Sequence, residues 1–149
     1  MRARDIMKKG VIFVKENDSI EDVLAVLMKN NISGVPVVDQ DRRVVGVVTE
    51  QDLITKEKGL NIPSYIEFVA SILFIDGNSK YNTNHEKIIT LTAKEIMSSP
   101  AYTVYLDASI EEIASVMVNR RINRVPVIDK ERKLAGIIGR GDLLPILIN

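Results

Sequence analysis

The chain lacks cysteine and tryptophan altogether and contains a single histidine, His85. Without cysteine there are no disulfides and no thiolate metal sites, which is consistent with a reducing cytoplasm. One histidine in a polar stretch, with no carboxylates paired in an acid/base signature, supplies no nucleophile, base and orienting group. We therefore expect neither an enzyme nor a metal site.

Charge of one sign and long apolar runs are also missing. The 20 basic and 20 acidic residues cancel, which argues against a general nucleic-acid binder. No Gly-rich phosphate loop is present. The most hydrophobic run, residues 68–75, is far shorter than the roughly 20 residues that cross a bilayer, and the N-terminus has no signal-peptide core. We expect a soluble, cytoplasmic protein that contacts neither membrane nor nucleic acid.

What the chain does contain is an internal repeat. Residues 3–54 align without a gap to residues 93–144, and 17 of the 52 aligned pairs are identical. A unit of about 50 residues buries too little surface to be stable alone, so the copies are expected to share a core as a pseudo-two-fold pair. The predicted organisation is a first motif at 1–58, a helical insertion and linker at 59–92, and a second motif at 93–149.

Each copy begins with a predicted strand and helix. The β-branched run Val11 to Val14 predicts a buried strand. Ser19 with Asp22, and Ser109 with Glu112, have capping-box spacing. Apolar residues then follow at helical period, which predicts one buried helix face in each copy; these residues are Ile20, Val23, Leu24, Leu27 and Met28, and Ile110, Ile113, Ala114, Met117 and Val118.

The second half of each copy predicts a hairpin and another helix. In copy one, strands at Val35–Val38 and Val44–Val48 flank a polar turn, and a helix begins near Thr49. The order β-α-β-β-α defines an α+β fold. In the insertion, the pattern at 63–75 predicts a helix that is apolar all round, which either packs under the tandem or in a homodimer seam, or docks another protein.

The candidate functional groups are Asp52 and Asp142, each in the first turn of a predicted helix. A carboxylate there caps the helix, and Thr49 fits that explanation. In copy two, however, Gly139 replaces the hydroxyl while Asp142 remains. The alternative is that each carboxylate accepts hydrogen bonds from a vicinal diol such as ribose. Arg124 is then either a phosphate ligand or an exposed surface arginine.

Pro36 and Pro126 are expected to confine their strands to an edge or an irregular start. Backbone groups near them, at Ser33 to Val35 and at Asn123 to Val125, would then lack sheet partners and suit a purine base. Ile12 and Tyr102 are apolar candidates to sandwich that base.

Together these motifs resemble the CBS domain, and the chain is similar to a tandem CBS pair, or Bateman module. The resemblance rests on Ile-Met, Ser-Ile-Glu, Val-Pro-Val-(Val/Ile)-Asp and the late Gly and Asp-Leu of each copy. It implies two CBS motifs related by a pseudo-two-fold axis, and a regulatory module without catalysis. Adenosine-containing ligands would bind in two clefts between the repeats, with the aspartate on the ribose.

Carried over residue by residue, the resemblance implies two sites that each combine both copies. One would use Thr49, Asp52, Ala101, Tyr102, Asn123 and Arg124. The other would use Asp142, Met7, Ile12, Ser33 and Gly34. Arg124 matches a phosphate-contacting arginine of the family and could serve either cleft, while Gly139 departs from the family's Ser/Thr and costs that site one hydrogen bond, about 0.5–1.5 kcal/mol.

The sequence thus favours a sensor of AMP, ADP or ATP that forms a homodimer and acts on a protein effector in trans. No cofactor is expected. Two alternatives stay open: an oligomerisation or docking module with vestigial clefts, and a sensor of S-adenosylmethionine, for which Arg124 would be dispensable.

Overall fold

The structure is a computed structural model that describes residues 1–54 and 91–148. The predicted helix at 63–75 and His85 lie outside the described residues. The predicted motif boundaries stay a prediction.

Both copies contain the predicted succession of strand, helix, hairpin and helix, preceded by a helix of four residues. The elements of copy one are α1 (Ala3–Ile6), β1 (Val14–Lys15), α2 (Ile20–Lys29), β2 (Gly34–Val38), β3 (Val44–Thr49) and α3 (Glu50–Ile54). Those of copy two are α4 (Ala93–Ile96), β4 (Val104–Tyr105), α5 (Ile110–Arg120), β5 (Arg124–Ile128), β6 (Leu134–Gly139) and α6 (Arg140–Ile148). The α+β class and the order β-α-β-β-α are confirmed.

The helix starts agree with their sequence signals. The hydroxyl of Ser19 accepts the amide of Asp22 at 3.1 Å, and that of Ser109 accepts the amide of Glu112 at the same distance. At Ser109 the box is reciprocal, because its own amide donates to Glu112 Oε2 at 2.9 Å.

The prediction that Val118 belongs to the buried face of its helix is wrong. Its side chain is 74 % exposed, because α5 turns it away from the core.

The proline strands do not lie at a sheet edge, which was one of the two alternatives expected from the sequence. The two three-stranded sheets have the orders β1-β2-β3 and β4-β5-β6, so Pro36 and Pro126 lie in middle strands. Copy two shows why this is tolerated. The parallel pairing of β4 with β5 begins only at Val127, one residue after the proline that cannot donate to a ladder. Pro126 therefore pairs on the β6 side alone, opposite Ile137.

The first strands are correspondingly shorter than predicted. Of Val11 to Val14 only Val14 is in a strand, and β4 makes just two pairs, Val104 with Val127 and Tyr105 with Ile128. Ile12 is 37 % exposed rather than buried. β-Branched composition alone does not make a strand where the neighbouring strand offers a two-residue ladder.

The chain divides into two compact units that do not coincide with the two copies. One unit contains residues 1–12, 38–45 and 100–149, and the other contains residues 13–37 and 46–99. The segment that leads into copy one therefore belongs to the unit that holds the last strand and helix of copy two. The amide of Ala3 illustrates this, since it donates to the carbonyl of Ala108 at 2.9 Å.

The core of the first unit combines α1 with the sheet and helices of copy two. Ala3 and Ile113 are fully buried in it, helix α5 packs against β5, and helix α6 packs against β6. The buried members of this cluster are Ala3, Val104, Ala108, Ile110, Ile113, Met117, Val125, Val127, Ile138 and Leu143. This core fixes the end of β6 and the start of α6, where Asp142 lies.

Candidate functional site

Asp52 caps the start of α3 and is almost completely buried, with 8 % of its surface exposed. Its Oδ2 accepts the amide of Thr49 at 2.8 Å and the hydroxyl of Thr49 at 3.1 Å. The amide of Asp52 in turn donates to the same hydroxyl at 3.3 Å. This reciprocal cap fixes the orientation of the carboxylate.

The other oxygen of Asp52 is contacted by a residue that sequence reasoning missed. The hydroxyl of Ser98 donates to Oδ1 at 2.8 Å. Two backbone bonds hold Ser98 there, from its amide to the carbonyl of Val47 at 2.9 Å and from the amide of Val47 to its carbonyl at 3.1 Å. Ser98 therefore approaches Asp52 from the segment that runs along β3.

Asp142 has the same position at the start of α6 but different neighbours. Its Oδ2 accepts the amide of Gly139 at 2.8 Å, so the cap persists after the hydroxyl is lost. A capping contact for Asp142 therefore needs no hydroxyl at position 139, because the backbone amide alone provides the donor. The Nζ of Lys8 lies 3.6 Å from Oδ1, with the Asp142 side chain 20 % exposed and that of Lys8 73 % exposed.

Lys8 occupies the position in its unit that Ser98 occupies in the other. The amide of Lys8 donates to the carbonyl of Ile137 at 2.9 Å, and the amide of Ile137 donates to the carbonyl of Lys8 at 3.1 Å. Just before these residues, Met7 contacts Gly136 and Met97 contacts Gly46, where a side chain on the glycine would collide with the methionine. Glycine is required there because the leading segment passes directly over the strand.

Four predicted residues, Ser33, Gly34, Asn123 and Arg124, lie near the aspartate of their own copy. The carbonyl of Ser33 accepts the amide of Glu50 at 2.9 Å, and that of Asn123 accepts the amide of Arg140 at 2.8 Å. These two carbonyls have no strand partner, but each accepts a hydrogen bond from the first amide of the following helix.

The residues after these two carbonyls also flank the caps. Gly34 lies beside Thr49, where a Cβ on the glycine would be 3.3 Å from the Thr49 Cγ2. Arg124 pairs with Gly139 across the β5–β6 ladder, next to the amide that caps Asp142. Position 34 therefore belongs with Asp52, and position 124 with Asp142.

Three further predicted residues, Ala101, Ile12 and Tyr102, lie in the unit that holds Asp142. Ala101 is partly buried there, whereas Ile12 is 37 % and Tyr102 42 % exposed. The guanidinium carbon of Arg120 stands 4.4 Å from the centre of the Tyr102 ring, so one face of that ring is engaged in a cation–π contact. Thr49 and Asp52 belong to the other unit. The two mixed sites therefore stay a prediction.

The position of Lys8 and Ser98 in the repeat is the one sequence signal that points to them. Each directly follows the duplicated Ile-Met pair, and they are counterparts 90 positions apart. Their residue types differ, however, so identity between the copies does not mark them.

Two further properties concern the described residues only. Within residues 1–54 and 91–148, no cluster of three or more His, Asp or Glu side chains is arranged to hold a metal ion. In the same part of the chain, no helix has the length and apolarity needed to cross a membrane.

Known proteins share this organisation in sequence and in structure. The protein MJ1426 of Methanocaldococcus jannaschii is 32 % identical over 99 % of this chain and 92 % of its own length. The structure of CBSX2 in complex with AMP has a TM-score of 0.71 and 23 % identity, covering 99 % of this chain and 96 % of that one.

A second solved neighbour carries other ligands. The CBS domain pair of MJ0100, in complex with 5′-methylthioadenosine and S-adenosyl-L-methionine, has a TM-score of 0.68 and 24 % identity, covering 99 % of this chain and 95 % of that one.

The model of the CBS domain matches this chain twice, at residues 3–59 and 93–149. These two matches include both helix-start aspartates and both leading segments described above. The chain belongs to the CBS domain family and contains a tandem pair of CBS motifs.

Proposed function

We propose that this protein is a non-enzymatic regulatory module that binds adenosine-containing ligands at Asp52 and Asp142, with AMP, ADP or ATP as the leading candidates. The observation that carries the proposal is the repeated geometry of the two carboxylates. In each, Oδ2 is tied to the backbone amide three residues earlier, while Oδ1 points at a side chain from the leading segment.

This arrangement suits a ribose diol. The cap orients the carboxylate before a ligand arrives, which lowers the entropic cost of binding. The partners seen at Oδ1, the Ser98 hydroxyl and the Lys8 ammonium, are side-chain groups that can rotate to other rotamers, as a backbone donor cannot. Two vicinal hydroxyls would then donate charge-assisted hydrogen bonds to each carboxylate.

The ligands of the two solved neighbours support the same choice. AMP, 5′-methylthioadenosine and S-adenosylmethionine share adenosine and differ in the group attached to the ribose 5′ carbon. A site built on a diol-binding carboxylate recognises the part that they share.

We further propose that ligand binding changes the contacts of Ser98 and Lys8, and that the altered leading segments signal to a protein effector in trans. A cytoplasmic location and a homodimeric state belong to the same proposal.

Isothermal titration with AMP, ADP, ATP and 5′-methylthioadenosine tests the function directly. We expect heat and a thermal shift with at least one of them, and loss of a binding event on Asp52→Ala or Asp142→Ala. Glu111→Ala is the matched control, since it removes an exposed carboxylate from the first turn of α5 without touching either site. Absence of heat and of any thermal shift at millimolar ligand would remove the proposal.

Exposed apolar side chains favour a second candidate function, self-association or protein docking. Val118 on α5 is 74 % exposed, and Leu147 and Ile148 on α6 are 57 % and 79 % exposed. Burying such residues against a partner contributes free energy in proportion to the apolar area removed from water. Val118→Asp and Leu147→Asp should then dissociate an assembly in analytical ultracentrifugation, with Glu111→Gln as the control, and an assembly that persists in both variants contradicts this candidate.

A further inference from the structure

At matched positions among the described residues, the surroundings of the two aspartates differ in charge. We infer that the Asp142 site takes a phosphorylated adenosine, whereas the Asp52 site takes an adenosyl compound without phosphate, such as a thioether or sulfonium. This inference rests on the proposed function and adds the ligand class of each site.

Lys8 is the first element of the basic surroundings of Asp142. Its ammonium lies 3.6 Å from Asp142 Oδ1, and its backbone is bonded to Ile137, two residues before the capping Gly139. Because its side chain is 73 % exposed, the ammonium can leave the carboxylate and follow an anionic group without breaking the backbone contact.

Two arginines lie near the same point, one on the neighbouring strand β5 and one at the first position of α6. Arg124 is paired with Gly139 in the β5–β6 ladder. Arg140 begins α6, and its amide donates to the carbonyl of Asn123 at 2.8 Å. Lys8, Arg124 and Arg140 thus bring three cationic residues to the start of the helix that carries Asp142, and Lys9 follows Lys8 in the chain. A phosphate on the ribose would meet net positive charge there, despite the repulsion from Asp142 itself.

The equivalent positions around Asp52 have the opposite character. Ser98 and Ser99 replace the two lysines, Gly34 replaces Arg124, and Glu50 replaces Arg140. The backbone contacts are the same in both units, because Ser98 is bonded to Val47 as Lys8 is bonded to Ile137, and Glu50 to Ser33 as Arg140 to Asn123. The difference is therefore one of side-chain charge at matched positions, and not of fold.

Charge then divides the ligands. A phosphate beside Asp52 and Glu50 would face two like charges with no cation at these matched positions, and like charges held close together are unfavourable even when partly screened. A neutral thioether is not repelled by these carboxylates, and a positively charged sulfonium is attracted to them. Beside Lys8, Arg124 and Arg140 the order reverses, because the phosphate gains charge-assisted hydrogen bonds.

Titration of the whole chain with AMP and, separately, with 5′-methylthioadenosine tests the division. Asp142→Asn should remove AMP binding and leave 5′-methylthioadenosine, and Asp52→Asn should do the reverse. Lys8→Ser, which installs the counterpart residue of the other site, should weaken AMP about fivefold or more and leave 5′-methylthioadenosine unchanged. Raising the salt concentration should weaken AMP alone.

Exchange and control variants keep the test independent of folding defects. Ser98→Lys should give the Asp52 site a measurable affinity for AMP. Lys130→Ser removes an exposed lysine from the hairpin turn of copy two and should leave the affinity for both ligands unchanged. If the unaltered chain binds neither of these two ligands, and neither ADP nor ATP, the proposed function itself fails. If both bind but AMP depends equally on the two aspartates, or is indifferent to Lys8 and to salt, the division by charge is refuted while the function stands.

Discussion

Replacing Gly136 with alanine tests how each leading segment is held against its strand. A Cβ at Gly136 would lie 2.7 Å from Cγ and 3.0 Å from Cβ of Met7, and would collide with its sulfur. All three atoms belong to one side chain. Gly136→Ala must therefore displace Met7, and overpacking of this kind costs about 1–3 kcal/mol.

Shortening the methionine should relieve the clash. Met7→Ala alone removes a partly buried side chain and should cost about 1–2 kcal/mol, less than for a fully buried methionine. In the double variant the new methyl group occupies space that the thioether has left. We expect the double variant to be more stable than the sum of the single changes predicts, by about 1 kcal/mol or more.

The other unit supplies a matched comparison. A Cβ at Gly46 would collide with Met97 and would also lie 2.9 Å from the carbonyl oxygen of Ser98. That oxygen accepts the amide of Val47 at 3.1 Å, so it cannot move without breaking a backbone bond. Met97→Ala should therefore rescue Gly46→Ala only in part, and the coupling should be smaller than for Met7 and Gly136.

Urea denaturation followed by circular dichroism gives the free energies of both cycles. Because Lys8 follows Met7, Gly136→Ala should also weaken AMP binding at Asp142, which titration measures on the same samples. An ordinary surface substitution changes the free energy of unfolding by about 0.5 kcal/mol or less. If Gly136→Ala changes it by no more than that, or shows no coupling to Met7→Ala, the close approach of segment and strand is refuted.

Three further changes probe the local determinants of the fold. Ser109→Ala removes the acceptor for the Glu112 amide and should cost about 1 kcal/mol in a thermal melt, whereas Ser115→Ala, exposed in mid-helix, should change stability little; equal effects would contradict the cap. Arg132→Gly should stabilise the protein by about 0.5–1 kcal/mol, because the φ of Arg132 is 67°, a conformation in which non-glycine residues are strained. Arg43 has no positive φ, so Arg43→Gly should destabilise the protein. The same sign for both changes would refute the reasoning. Ile113→Ala should cost about 3 kcal/mol in urea, since the side chain is fully buried in the core of its unit, and a loss below about 1 kcal/mol would contradict that burial.

Local sequence signals predicted the elements well. The Ser19 and Ser109 caps, the hairpin strands and the helices after Thr49 and Gly139 depend on residues a few positions apart, and the structure confirms them. The capping contacts of Asp52 and Asp142 are local in the same sense, because each carboxylate accepts the amide three residues earlier.

Contacts between distant residues account for what was missed. The missing amide of Pro126 left an edge position or an irregular start as alternatives, and the edge is wrong. The sheet holds Pro126 in a middle strand because β4 begins to pair only at Val127. Val118 has the spacing of the buried helix face and nevertheless points outward. No pattern within a few residues reports which neighbour a strand or helix face finds.

The amino-acid sequence by itself determined the duplication, the type and order of the elements in each copy, and the two carboxylates at helix starts, because these depend on short-range periodicity and capping. The tertiary structure alone decided that Ser98 faces Asp52 and that Lys8 faces Asp142. Those partners lie 46 residues apart in the first case and much farther apart in the second. They meet only because each leading segment forms backbone hydrogen bonds with a strand of the other copy, Ser98 with Val47 and Lys8 with Ile137.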